Sequence, residues 1–199
     1  ENGAKATEFR ARFQQLTSPI MAKSIEDTLF YRFNRLIALN EVGGDPECAD
    51  DGLETLHARM AERAQASPFA LTGSATHDTK RGEDARARLY ALTEKPDDWS
   101  AGVRRWREMH ADRVQGLDDG PAPDPETEWL LYQALGGVWP GDGGLPNAET
   151  LAGLRERFMP YLEKAMREAK RRTGWLSINE PYENAVRAYA SRLLSPENG

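Results

Sequence analysis

Cysteine is almost missing from this chain: Cys48 is the only one among 199 residues. A single cysteine excludes an internal disulfide and any cysteine-based zinc cluster, and it fits a reducing, cytoplasmic setting. Long apolar runs are missing too. Nothing approaches the roughly 18 consecutive residues that a spanning helix needs, so no membrane partner is expected. The N-terminal ENGAKATEFR has neither an apolar centre nor a cleavage site and does not read as a secretory leader. Histidine is sparse, with three in all, and no two stand at the helical spacing that would bring them onto one metal. Walker A, GxGxxG and GxSxG patterns are absent, which leaves nucleotide binding and serine-hydrolase chemistry without support. Positive charge is in deficit: 26 Lys plus Arg against 32 Asp plus Glu give a net charge of −6. Such a field repels phosphate backbones, so nucleic acid is not an expected partner. The basic run Lys170-Arg171-Arg172 sits where a helix should end, and there it complements the helix dipole.

What is present reads as helix almost throughout. From Ser24 the apolar positions Ile25, Leu29, Phe33, Leu36 and Ile37 recur at helical steps, after a capping-box-like Ser24-x-x-Asp27, and Gly43-Gly44-Asp45-Pro46 should stop that helix. A second helix is expected over Asp51 to Ala66, with Leu53, Leu56 and Met60 inward. Phe69-Ala70-Leu71-Thr72 is the best strand candidate and Ser18 to Ala22 a weaker one. Each is followed by a polar segment and a helix, as in α/β folds. Beyond Glu83 only helices follow. One face carries Trp99, Val103, Trp106, His110 and Val114; a turn-rich loop spans Gly120 to Pro125, where Asp124 caps a helix and Pro125 opens it. That helix should stop at Gly136-Gly137. The loop Pro140 to Pro146 follows, then a long helix capped by Asn147, kinked at Pro160 and ended by Gly174. A last helix carries Tyr182, Val186, Tyr189 and Leu193. The organisation changes near residue 95, and two strands alone cannot make a stable parallel sheet.

Two polar clusters are candidate sites. Thr76-His77-Asp78-Thr79-Lys80-Arg81-Gly82-Glu83-Asp84 follows the better strand candidate, and loops at strand carboxyl ends carry catalytic groups in parallel α/β folds. Spacing alone leaves open whether the loop is a site or a solvated helix start. Lys23, Glu26, Asp27, Tyr31 and Arg32 form the second cluster, where a capping box explains Glu26 and Asp27 without any ligand. His110 and His57, on apolar faces, read as core residues, with His110 hydrogen-bonded. Trp99, Trp106 and Trp129 also fall on helical stripes and read as core; Trp139 and Trp175, near helix ends, are freer.

Three blocks carry a resemblance. Met21-Ala-Lys-Ser-Ile-Glu-Asp-Thr-Leu-Phe-Tyr-Arg-Phe-Asn-Arg-Leu with Leu39-Asn-Glu-Val-Gly-Gly-Asp-Pro46 resembles the malto-oligosyltrehalose synthase family. So do Ser74 to Leu89 and the stretch Lys164 to Lys170 with Thr173, Trp175 and Tyr182-Glu183. That family belongs to the α-amylase superfamily, with a (β/α)8 catalytic barrel. The resemblance implies a fold that is mainly α with one or two short strands, a fragment of such a barrel plus a helical subdomain. Residues 1–95 would be the C-terminal part of the barrel and 96–199 a helical insertion or extension. It implies that Asp78 is the transition-state-stabilising carboxylate and that His77 hydrogen-bonds sugar hydroxyls. It further places Lys23, Glu26, Tyr31, Lys80 and Arg81 around the glucose that is transferred, with malto-oligosaccharide as substrate, the remainder of the barrel as partner, and no metal or organic cofactor. The superfamily's nucleophile, in a Gly-x-Arg-x-Asp context, and its general acid are not found in this sequence. Because a retaining mechanism needs both carboxylates about 5 Å apart, the chain alone is expected to be inert. Two other readings stand beside this one: a non-catalytic helical interaction module, and part of another α-1,4-glucan hydrolase or transferase.

Overall fold

The computed structural model describes residues 2–47, 52–71, 73–141 and 144–196. Cys48, Asp51, Thr72 and Gly143, used above, lie outside the described residues. Within them the chain is mainly α: α1 (Asn2–Met21), α2 (Gly52–Ala66), α3 (Glu83–Ala91), α4 (Pro96–Met109), α5 (Pro125–Val138), α6 (Ala148–Ala169) and α7 (Glu180–Leu193). Between α4 and α5 lies a small hairpin of β1 (Gln115–Leu117) and β2 (Gly120–Ala122), antiparallel, with Gly116 opposite Pro121. None of these helices is long and apolar enough to cross a membrane.

The caps expected of α5 and α6 are present. Asp124 accepts from the Glu126 and Thr127 amides with Pro125 in the first turn, and Asn147 accepts from the Thr150 amide. These side chains satisfy donors that a helix start leaves unpaired. One core joins helices α3 to α7. Leu131 and Leu135 of α5 meet Leu89 of α3, Val103 of α4, Leu154, Phe158 and Leu162 of α6, and Val186 and Tyr189 of α7. Tyr31, Ile37 and Ala38 enter the same core, so the 22–41 segment is anchored on α5 and α6. α5 is buried nearly all round, including Glu128 and Gln133. Both polar groups are paired: Glu128 accepts from the Tyr132 and Tyr189 hydroxyls and from Arg107, and Gln133 bonds Asn34 and Ile37. Burial of such groups is tolerable only with partners.

Several expectations are overturned. The helix from Ser24 does not form. In its place stand a π turn (Ala22–Glu26) and 3-10 turns at Leu29–Tyr31 and Ile37–Leu39. Ser24 donates back to the Met21 carbonyl and caps nothing. Distant side chains take the carbonyls that a helix would have used: Asn40 Nδ2 donates to Phe30 O and Phe33 O at 2.8 Å each, and Trp129 and Gln133 both donate to Asn34 O. Ser18 to Ala22 belongs to α1 and the π turn, and Phe69 to Leu71 is turn and coil with no partner strand among the described residues. Of the strands, β2 lies within the stretch Gly120 to Pro125 expected as loop and β1 just before it. α2 forms, but Leu53, Leu56 and Met60 face solvent, as do Phe9, Phe13, Leu16 and Ile20 along α1. α5 runs through Gly136-Gly137 to Val138. α6 ends on Lys170 in the left-handed conformation at φ 50, four residues before Gly174. His57 is exposed. His110 is buried, but its Nδ1 has no partner. Burial, then the Arg113 charge, holds its pKa below the ordinary value. Trp99 and Trp129 pack on the core, as does Trp139, whereas Trp106 and Trp175 remain partly exposed.

Candidate active site

The loop after α2 folds on itself. The Thr76 amide donates to Thr79 Oγ1 at 2.6 Å, the Thr79 amide to Thr76 O at 3.1 Å, and the Asp78 amide to Thr76 Oγ1 at 3.3 Å. Threonines are suited to such local bonds, which compete with regular structure. This turn pushes His77 and Asp78 outward. Their side chains are 90% and 67% exposed, with His77 Nε2 3.3 Å from Asp78 Oδ2.

Immediately after the turn the chain dives inward. Lys80 Nζ donates to Asp27 Oδ1 at 3.0 Å, and Lys23 Nζ pairs with Asp27 Oδ2. Asp27 thereby lies between two ammonium groups from two different blocks of sequence. Burial alone would push the Asp27 carboxyl up; the hydrogen bonds from Lys23 and Lys80 override it and hold the group below its ordinary value. Lys23 is raised, first by its bond to Asp27 and then by that charge, with a smaller contribution from Asp78.

Arg81 forms the floor. Its guanidinium donates to Ile37 O at 2.9 Å and to the Tyr161 hydroxyl at 3.1 Å. Tyr31, 5% exposed, has its phenol pushed up to about 12, by burial first and then by Tyr161, with Arg81 opposing. It therefore stays a neutral hydroxyl at any working pH. A cavity of about 320 Å³ opens beside Lys80 and Arg81, walled by Leu89, Leu154, Phe158 and Tyr161. Glu26 closes the π turn, half-buried.

The structure thus brings Lys23 and Lys80 together through Asp27 and joins Arg81 to Tyr161, while Tyr31 is buried in the core. His77 and Asp78 stand apart on the open rim. The sequence pattern reads Asp27 as a cap, although its place four residues after Lys23 also suits the ion pair. Tyr161 gave none, because it falls on the apolar stripe of α6. Among the described residues no group of three or more His, Cys, Asp or Glu could hold a metal ion.

No family model matches the sequence. Over 191 residues, 96% of its length, the chain is 40% identical to a Mycobacterium tuberculosis (strain H37Rv) protein carrying the name maltooligosyl trehalose synthase, of which it covers 23%. Over nearly all of its length the chain is thus similar to one segment of the maltooligosyl trehalose synthases. The crystal structure of one such synthase superposes with a TM-score of 0.82 at 29% identity, over 98% of this chain and 25% of that one. The Arthrobacter ramosus maltooligosyltrehalose synthase gives a TM-score of 0.75 at 36% identity, over 93% of this chain and 22% of that one. The chain therefore spans about a quarter of the length of the family members it matches.

Proposed function

We propose that this chain supplies one catalytic carboxylate and the reducing-end glucose site of a maltooligosyl trehalose synthase. The observation that carries the reading is the Lys23–Asp27–Lys80 bridge, which joins the two most specific blocks of sequence at a lysine two residues beyond Asp78 in the chain. In the reaction the α-1,4 bond to the reducing-end glucose breaks, a general acid protonates the departing O4, and a nucleophilic carboxylate holds the remaining glucan covalently. The freed glucose turns over and its anomeric hydroxyl attacks the same carbon. The bond to the nucleophile breaks and the hydroxyl proton returns to the acid residue, leaving an α,α-1,1 linkage. Nucleophile and acid come from the remainder of the barrel, whose packing also covers the open apolar faces of α1 and α2. Asp78 opposes the positive charge of the oxocarbenium-like transition state, and His77 binds sugar hydroxyls. Lys23, Glu26, Tyr31, Lys80 and Arg81 retain the glucose and keep water from replacing it, since water at that stage gives hydrolysis.

The test uses a full-length synthase carrying this segment, incubated with maltopentaose. Reducing ends should disappear without shortening of the chain, and Asp78→Asn should abolish this. Shorter reducing sugars from the parent enzyme, or an Asp78→Asn variant within about threefold of it, would refute the reading. Lys80→Met should raise released glucose relative to transfer product, and an unchanged ratio removes Lys80 from the glucose site.

A further inference from the structure

The block Leu39-Asn40-Glu41-Val42-Gly43-Gly44 carries part of the family resemblance, yet none of its side chains enters the reading above. The structure gives each polar member a task. Asn40, fully buried, ties the turn ending at Phe33 to its own backbone through two bonds. Gly44 donates its amide to Glu41 O at 2.8 Å, closing a tight reversal. Gly43 stands at φ +74, and a Cβ at Gly44 would lie 2.9 Å from Glu41 O. The two glycines let the chain reverse there and hold Glu41 at a set place.

From that place the Glu41 carboxylate reaches the catalytic loop. Oε1 accepts from the Lys80 amide at 2.8 Å and from its own neighbour Val42 at 2.9 Å; Oε2 accepts from the Arg81 amide at 3.2 Å. Two successive main-chain N–H groups aimed at one anion form a geometry that fixes a backbone firmly. These bonds fall two and three residues beyond Asp78. On the other side of Asp78 the turn closes on itself through Thr76 and Thr79, and Ser74 ties its start to Glu83 and Arg86 of α3.

We propose that Glu41 is a positioning residue: by clamping the main chain of Lys80 and Arg81 it sets where His77 and Asp78 stand relative to the scissile bond. The proposal rests on the reading of Asp78 as a catalytic carboxylate. Displacing a catalytic group by about 1 Å costs on the order of 100-fold in rate, so Glu41→Ala should lower kcat of the full-length synthase by about that factor. Released glucose should rise relative to transfer product, because the main chain carrying Lys80 slackens. Glu41→Gln keeps Oε1 and two of the three bonds and should lose only a few-fold. In parallel, hydrogen exchange in a peptide spanning residues 76–82 should quicken about tenfold in Glu41→Ala, with α5 to α7 unchanged. An alanine variant within about threefold of the parent kcat overturns the proposal. So does unaltered exchange over 76–82, or a loss of activity that merely tracks loss of protection throughout the chain. If the parent enzyme makes no trehalose-terminated product, the functional reading has failed, whereas the exchange arm still decides whether Glu41 clamps the loop.

Discussion

Asp124 links the start of α5 to α7, and its removal can be worked through from the structure. Oδ1 accepts from the amides of Glu126 and Thr127 at 3.1 Å each, while Oδ2 accepts from the Thr127 hydroxyl at 2.9 Å and the Tyr182 hydroxyl at 2.6 Å. Asp124→Ala deletes a helix cap, at a cost of about 1–2 kcal/mol. It also strips a charged acceptor from Tyr182, which is 2% exposed and is left with the Thr127 hydroxyl at 2.8 Å. That second loss is worth about 1–2 kcal/mol more. The sum, about 2–4 kcal/mol, lowers the midpoint of thermal unfolding by roughly 5–15 °C in a chain of this size. Far-UV circular dichroism on heating, with urea titration for the free energy, reads it directly. Asp124→Ser restores the cap but does not span the distance to Tyr182, and should recover about half of the loss. In a cycle with Tyr182→Phe, the coupling should be about 1 kcal/mol or more. A loss below about 1 kcal/mol for Asp124→Ala, or strict additivity with Tyr182→Phe, would refute the argument that this carboxylate joins the two helices.

Leu131 is wholly buried at the centre of α5, and Leu131→Ala should cost about 2–5 kcal/mol in urea unfolding, since the packed neighbours can close only part of the void. Glu183 is held below its ordinary value of 4.5, first by its bonds from Arg167, against the opposing effect of burial, and then by Thr173. A depressed carboxylate stabilises the fold above its unfolded pKa and loses that contribution as pH falls through the folded value. Midpoints of thermal unfolding should therefore drop on acidification below about 4.5, and Glu183→Gln should flatten that limb.

How much of this was legible in the sequence depends on where each group finds its partners. As caps, Asp124 and Asn147 take amides within four residues of themselves, so local pattern sufficed to place the starts of α5 and α6, whereas the bond from Tyr182 to Asp124 left no local sign. The stripe of α7 was legible for the same reason. The 22–41 segment was not. Ile25, Leu29 and Phe33 have helical spacing, but the bonds that decide its shape come from Trp129 and Gln133, about a hundred residues away. Phe69 to Leu71 has the composition of a strand and finds no partner strand among the described residues, which no local pattern could reveal. In the candidate site the chemistry-bearing residue types were visible, whereas the connecting roles of Asp27 and Glu41 were not. A carboxylate beside a glycine turn gives no sign of the amides it will meet forty residues later.

The contact between Arg32 and the end of α6 orders events in time. Its guanidinium donates to Ala169 O at 2.5 Å and Lys170 O at 3.0 Å, across 137 and 138 residues of chain. It puts a cation against the carbonyls where the helix dipole is negative. Closing so long a loop is entropically unfavourable until both ends are already shaped. The bonds that join α5 to α7 close shorter loops of 58 and 61 residues, so those helices can assemble earlier, and the segment bearing Lys23, Asp27 and Tyr31 docks once α6 has a finished end. That segment leaves the ribosome before the helix end on which it docks. The part of the chain bearing the candidate site is made before the part that holds it.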